Sequence, residues 1–503
     1  MRGAQLCVLA CVVALSSGCS LYLPTRFADR PAATAVADDA PIPVPRHHEL
    51  LETVRWSDIY LRRPLVRALD PERPPRAGDV NSIDEVPRSS WFEPLTGEEL
   101  SDAWWGEGPP EPPVEAIGGK PDVVSGAIRV KDSRGIVYEL EADPREAPDS
   151  RTAAGPITAR LLRAIGYRTA PAHRIAISRD QVVNADPKNR VLPAGIDRRV
   201  MVATQWPLGT DIGVTPPRGL RQDDANDYVP HEHRRTLRAL LPIASWLDIS
   251  GISAHCMRDV YVGAPGDGYV QHFYVRSSPG LGSGRLTQGQ PYQSAAGVVA
   301  GTPLLNLFTL GLNSRGINSK PPADLRLLAA SPRVEEFTAA TPYEPFDELR
   351  PDDLYWALKR VASISDESLV RAIQAGGQPL AEQQRINATL KQRVLELVAM
   401  ALTLVTPIEF EGIDQDRLIL RDFAAYRFGD QPVPHDVWLY DARGHLLSRS
   451  LLPPGPRAAL SIPRVIGLDY LVVRVRSRRT PIPRAAELHL RLHPSPHLVG
   501  ILH

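Results

Sequence analysis

Residues 127–166 read AIRVKDSRGIVYELEADPREAPDSRTAAGPITARLLRAIG. Ala127 to Val130 and Ile136 to Leu140 flank the turn sequence Asp132-Ser133-Arg134-Gly135, which predicts a β-hairpin. From Thr152 the spacing changes. Ile157, Leu161 and Ile165 fall on one face of a helix, and Gly166 is its stop signal. Ala172 to Ile177 then reads as a strand. A hairpin, a helix and a returning strand place this middle segment in the α+β class.

Further along, Asn226-Asp227 supplies a helix cap and Pro230 suits a first turn, with Leu237, Leu240, Leu241, Ala244 and Leu247 as the apolar face. Pro242 within it predicts a kink. Asp259 to Val262 and Tyr269 to Val275 read as strands joined by the Gly- and Pro-rich run 263–268. Helices are expected over Asp353 to Val361, Asp366 to Ala375 and Pro379 to Val405. After Pro407 the period switches to two, with short segments at Arg417 to Arg421, Val437 to Tyr440, Leu446 to Leu451, Tyr470 to Arg476 and Glu487 to Leu492. Leu471, Val473 and Val475 face one way and Val472, Arg474 and Arg476 the other. Spaced short strands with Pro and Gly turns predict a small β-sandwich over residues 406–503.

The N-terminus reads as a targeting segment. Met1-Arg2 is basic and Ala4 to Leu15 is apolar, with Gln5 the interruption. Roughly a dozen apolar residues are too few to span a bilayer, which takes about 20, but they suit a secretory signal peptide. The run ends in Leu15-Ser16-Ser17-Gly18-Cys19, which resembles a bacterial lipobox cut before a lipidated Cys, although Ser16 stands where Leu is preferred. The alternative is a plain signal peptide with a coincidental Cys. Ser20 after the Cys, where Asp would retain the protein, points by analogy to the outer membrane. Residues 1–18 are thus the expected signal peptide and Cys19 the expected lipid attachment. Residues 19–75, rich in Pro, Ala and Arg with a short helix at Leu50 to Leu61, are expected to be a tether. Residues 76–405 would form the body.

With Cys7 and Cys11 in the signal peptide, the chain's four cysteines leave Cys256 alone in the body. An intramolecular disulfide and a Cys-ligated zinc site are excluded. The 58 basic residues match the 58 acidic ones, which argues against a nucleic-acid partner. Only six of the basic residues are Lys, so a mechanism needing a buried Lys has few candidates.

Walker A, G-x-S-x-G, H-E-x-x-H and EF-hand patterns are absent. Gly280 to Gly284 lacks dinucleotide spacing and reads as a mobile loop. His231 and His233, one residue apart, point about 200° apart on a helix, so a solvated first turn is expected over a shared metal. Asp223 to Asp227 lacks the Gly and distant Glu of a calcium loop and reads as a cap and turn.

Asp79-Val80-Asn81-Ser82-Ile83-Asp84-Glu85-Val86-Pro87-Arg88-Ser89-Ser90-Trp91-Phe92 resembles a segment of a family of uncharacterised bacterial exported proteins. Val229 to Arg235 with Ala244-Ser245-Trp246-Leu247 resembles the same family, and Tyr355-Trp356-Ala357 and Phe273 to Gly284 do so more loosely. The resemblance spans roughly residues 79–400. It implies the layout of a HipA-like or phosphatidylinositol-kinase-like fold, a two-lobed protein-kinase-like body.

In such folds a strand Lys, oriented by a helix Glu, neutralises the nucleotide phosphates, and Asp and Asn side chains hold the hydroxyl and the metal. The family strand Tyr-x-Leu-Lys-Phe-Asp falls on Tyr138-Glu139-Leu140-Glu141-Ala142-Asp143, so Glu141 stands at the Lys. The helix Glu falls on Gly155. The catalytic Asp pair falls on Ser250-Gly251, the metal Asn on Cys256, and the Asp-Phe-Gly-like segment on Arg276-Ser277-Ser278. Asp143, Asp248 and Asp259 are retained acids. The resemblance therefore implies a pseudokinase-like chain with no catalytic residues, cofactor or metal. Arg276 binding a phosphate directly is the reversed arrangement.

Three functions stay open at this point. The first is a lipid-anchored binding or scaffolding protein facing an unknown envelope protein or glycan. The second is a transferase or hydrolase with a rearranged site built from Asp143, Asp248, Asp259 or Arg276. The third is a structural or carbohydrate-associated envelope component resting on the β-sandwich.

Overall fold

The computed structural model describes residues 22–63, 65, 74–95, 106–117, 127–183, 192, 195–287, 326–339 and 342–503. The expected signal peptide and Cys19 lie outside the described residues. The chain is a mixed α+β protein in two units. One holds residues 33–81 and 85–404; the other joins residues 22–32 and 82–84 to residues 405–503.

In the larger unit, α1 (Glu52–Ser57) precedes β1 (Val114–Ala116), β2 (Ile128–Lys131) and β3 (Val137–Ala142). Helix α2 (Arg151–Ile165) leads into β4 (Ala172–Ser178), β5 (Val182–Val183) and β6 (Arg198–Gln205). These strands make one sheet in the order β4-β6-β3-β2-β1-β5, antiparallel except for the β1–β5 pair. Alternation along β3 decides the faces. Tyr138 and Leu140 enter an apolar core with Val130, Met201 and Ala203, while Glu141 lies opposite Val202 in the register. Val202 packs with Ala159 of α2 and Ala172, so α2 covers the Glu141 face.

The rest of this unit contains β7 (Thr210–Val214), α3 (Arg235–Arg238), α4 (Leu240–Leu247), β8 (Met257–Ala264) and β9 (Asp267–Tyr274). Strands β7, β8 and β9 form a second antiparallel sheet. After α5 (Ser283–Thr287) come α6 (Pro351–Ala362), α7 (Asp366–Gln374) and α8 (Leu380–Leu402). Ile386, Leu390, Leu397 and Ala401 are the buried stripe of α8.

The expected tether is not a free linker from residue 33 onward. Val36 N–H donates to Arg88 O at 2.8 Å, Ile42 N–H to Gly268 O at 2.8 Å and His48 N–H to Ile212 O at 2.8 Å. Such edge pairing satisfies the backbone without any side-chain period, which is why composition alone gave no sign of it. The helix expected after Asn226 is also broken, into a 3-10 turn at His231–His233, α3 and α4. Asp227 caps nothing there; its carboxylate is spent on Arg221, His231 and Arg234. The loop Gly280 to Gly284 is clamped. Leu281 and Ser283 are fully buried, Leu281 N–H donates to Leu247 O at 2.7 Å, and a Cβ on Gly280 would lie 2.0 Å from Thr158 Oγ1 of α2.

The second unit is a two-sheet sandwich. Strands β10 (Ile408–Asp414) and β11 (Arg417–Asp422) are followed by α9 (Phe423–Phe428), β12 (His435–Asp441), β13 (Leu446–Leu452), β14 (Arg457–Ser461), β15 (Tyr470–Ser477), β16 (Ala486–Arg491) and β17 (His497–Leu502). The sheets run β10-β11-β14 and β13-β12-β15-β16-β17. Leu471, Val473 and Val475 meet Leu418 and Leu420 in the shared core. The other face of β15 is covered as well: Val472 and Tyr470 pack with Val499, Tyr22 and Phe27. Gly500 is required there, since a Cβ would lie 2.2 Å from Phe27 Cδ2.

Burial above all, helped by the Arg479 charge, holds His435 of β12 down at about 4. Its unfolded value is about 6.5, so between these limits the unfolded chain takes up a proton that the folded sandwich refuses. Stability should therefore fall by about 2 kcal/mol as pH drops from 6.5 to 4. Chemical unfolding across that range should show a shallower slope for His435→Gln. An unchanged slope would assign the dependence elsewhere.

Candidate functional site

Most positions that the resemblance assigns to catalysis gather around residues 276–284. Glu141 projects from β3 onto the α2 side of the sheet, and Ser278 Oγ donates to its Oε2 at 2.6 Å. Gly155, one and a half turns into α2, sits against the same segment: its Cβ, if present, would lie 3.7 Å from Ser278 Cα and 2.9 Å from Val202 Cγ2. On the other side Gly251 packs on Pro279, and a Cβ on Gly284 would lie 3.1 Å from Ser250 Oγ. Cys256 Sγ lies 3.6 Å from Gly251 O. The chain thus brings positions 141, 155, 250, 251 and 278 to one place.

The charge of that place is acidic on the strand side. Glu139, two residues before Glu141, shares its face and is bonded by Arg129 Nε at 3.1 Å. Burial raises the Glu139 carboxyl above the ordinary range, against the pull of Arg129; the nearby Glu141 charge adds to the rise and Arg276 opposes it. The Arg276 charge therefore favours the ionised form of Glu139. Glu139 went unnoticed in the sequence because attention to the Lys position singles out residue 141 alone.

The retained acids each accept from protein donors, and of the three Asp248 does so at the 276–284 segment itself. Asp143 accepts from Thr152 N at 2.9 Å, Thr152 Oγ1 at 2.6 Å and Asp149 N at 2.9 Å. It caps α2 from nine residues upstream, a role that Ser150 leaves open. Asp248 follows α4 in the left-handed region, with φ at 46°, a conformation Asp tolerates better than most residues. Its carboxylate accepts from Arg285 Nε at 2.8 Å and Ser331 Oγ at 2.6 Å, and its backbone O from Gly282 N at 3.0 Å.

Asp259, fully buried on β8, anchors a network that sequence reasoning missed. It takes His272 Nδ1 at 2.8 Å, Arg221 Nη1 at 2.9 Å and the Thr215 hydroxyl. Burial alone would raise this carboxyl; His272, Arg221 and Thr215 outweigh it and hold it down at about 2. His272 stacks on Trp91, with ring centroids 3.5 Å apart and planes at 14°. His231 meets the Trp91 edge at 4.8 Å and Arg234 lies over the ring at 4.3 Å. Asp227 closes the circuit, 2.7 Å from His231 Nε2 and 2.8 Å from Arg234 Nη2.

His231 is accordingly buried rather than solvated. The signal available in the sequence was that Trp91 and His231 both lie in the segments carrying the family resemblance. A pocket of about 200 Å³ beside the network is lined by Asp38, Asp79, Ser89, Tyr228 and Arg234, among others. Its carboxylates are also engaged, Asp38 by Ser90 and Asp79 by Arg235 and Thr236. Among the described residues no group of three or more His, Cys, Asp or Glu side chains is arranged to hold a metal ion.

No protein-family model matches the chain, and no curated protein matches it. Among solved structures, a crystal structure of the Golgi casein kinase with Mn/ADP bound aligns at 10% identity and a TM-score of 0.29, covering 71% of this chain and 94% of its own. A second crystal structure of the Golgi casein kinase aligns at 10% identity and a TM-score of 0.28, covering 72% of this chain and 95% of its own. Neither superposition carries an assignment at that score.

Proposed function

We propose that this chain is a lipid-anchored envelope protein whose body is a kinase-like scaffold emptied of its catalytic groups, and that its role is to bind or scaffold. The observation that supports it best is Glu141, a carboxylate at the strand position where a phosphate-binding cation would stand, bonded inward to Ser278. A kinase-like fold implies a nucleotide and magnesium. The residues present do not fit them: Glu139 and Glu141 would face a polyanion, and Asp143, Asp248 and Asp259 already accept from protein donors. A divalent cation needs several free oxygen ligands, and each acid here would have to abandon its present partners to become one.

The expected result is that Mg-ATP and Mg-GTP at millimolar concentration leave the unfolding midpoint of the purified protein unchanged. Three charge-assisted contacts to the phosphates and metal are missing, at about 1.5–3 kcal/mol each. Their loss weakens binding by roughly three orders of magnitude or more. Stabilisation by nucleotide that Arg276→Ala abolishes would overturn the reading and favour a rearranged enzyme.

A further inference from the structure

Residues 51–62, LETVRWSDIYLR, make an inside-out helix. Helix α1 continues without a break into a π-helical turn at Asp58–Arg62. A surface helix ordinarily turns its apolar stripe to the core and its charges to water. Here the inward side is ionic. Arg55 Nε pairs with Glu344 Oε1 at 3.1 Å and Arg63 Nη1 with Asp347 Oδ2 at 2.8 Å, and both arginine side chains are at most a tenth exposed.

The outward side is apolar: Leu51 is 69%, Val54 62% and Leu61 58% exposed. Trp56 and Tyr60 are stacked on each other, centroids 5.0 Å apart and planes at 2°, and stay about 40% exposed. Arg62, bound to Asp58, and Arg218, bound to Asp58 and Glu232, stand at the rim with much of their side chains in water. Large aliphatics held in solvent by a helix that ion pairs fix to the body need a partner to cover them.

We infer that this face docks on an anionic lipid surface, lying in the plane of the interface. The chemistry favours lipid over protein. Trp and Tyr present an apolar body and a polar edge suited to the headgroup level, the aliphatics suit the acyl boundary, and exposed guanidiniums at the rim meet lipid phosphates. No helix among the described residues is long and apolar enough to cross a membrane, so contact here is interfacial. The inference rests on the envelope reading above, in which the lipid attachment site at Cys19 precedes Leu51 in the same chain.

The test uses the chain from Ser20 onward, made without lipid, and co-sedimentation with phosphatidylglycerol-containing vesicles against phosphatidylcholine vesicles. Binding to the anionic vesicles is expected. The double variant Val54→Asn and Leu61→Asn should weaken it roughly tenfold or more, since each buried aliphatic contributes on the scale of 1 kcal/mol even when half inserted. Both side chains are exposed, so the variant should unfold at the wild-type midpoint. Absence of vesicle binding, or equal binding by the double variant, overturns the inference. Self-association that the double variant abolishes, without vesicle binding, also overturns it and gives the face to a second copy. Fatty-acid labelling of Cys19 in cells reads the anchor separately. A labelled protein whose unlipidated form ignores vesicles keeps the anchor and loses this face; vesicle binding without labelling does the reverse.

Discussion

Asp259→Ala is expected to lower the stability of the larger unit by about 3–5 kcal/mol, the cost of stripping one partner from a buried ion pair. The carboxylate is fully buried and holds Arg221, His272 and Thr215 together. Without it a guanidinium that is 2% exposed keeps just the more exposed Asp223 as counter-charge, and His272 loses the group that orients it against Trp91. The same variant should flatten the acid limb of the stability curve. With the folded carboxyl at about 2 and the unfolded one near 3.9, its contribution is complete above about pH 4 and is lost as pH falls toward 2. Denaturant unfolding at pH 7 and pH 3 measures both. An Asp259→Ala protein as stable as wild type at pH 7 would show the acid to be free of this structural duty and available to a ligand.

That result would also separate two meanings of a retained acid. Read on the sequence, Asp143, Asp248 and Asp259 look like remnants of a catalytic set, because carboxylates in the vicinity of a kinase-like site are its expected metal ligands. In space each is bound by different donors: the first turn of α2, the Arg285 and Ser331 side chains, and the Arg221–His272 pair. Persistence of an acid is therefore no sign of persistent chemistry when the neighbours have become its partners.

Elements with a strong local period were legible. The hairpin of β2 and β3, helices α2, α6, α7 and α8, and strands β8, β9, β11, β12, β13, β15 and β16 fall within a few residues of where the spacing put them. What escaped lacked a period. The strap at residues 33–48 is held by backbone pairing and by single side chains such as Asp38 on Ser90 and Ile42 in the core; β10 is interrupted by a register shift between Phe410 and Gly412; β14 has just five residues. The burial of His231 was invisible because it depends on Trp91 and Asp227, and only the fold brings Trp91, more than a hundred residues upstream, against the ring. At the site, the placement of Glu141 opposite α2 followed from alternation along β3, whereas its bond to Ser278 required knowing that a Gly-rich loop is clamped rather than mobile.

Placing at positions 141 and 155 the residues that the kinase resemblance implies should not create a nucleotide site, and the reason lies at Gly155. A Cβ there would stand 2.9 Å from Val202 Cγ2, a branched side chain locked between α2 and the sheet. In an open helix Gly→Ala gains about 1 kcal/mol from backbone entropy; at this position Gly155→Ala should show no gain, because the methyl must displace Val202. Gly155→Glu adds an ionised carboxyl to the same closed space, in front of Glu141 and the Ser278 backbone. Overpacking at about 1–3 kcal/mol and burial of an added charge beside a like one together predict a loss of about 4 kcal/mol. Pairing it with Glu141→Lys should recover part of that loss through the new ion pair, while also breaking the Ser278 bond. Neither the single nor the double variant is expected to be stabilised by millimolar Mg-ATP. Unfolding midpoints of the three variants, with and without nucleotide, decide the matter. A Gly155→Glu protein of wild-type stability would mean that α2 has room for a glutamate, and the site would then be vacant by sequence alone. The contrary result would show that the packing of α2 against β6 leaves no room for a glutamate at position 155, so that supplying the side chain cannot by itself make a nucleotide site there.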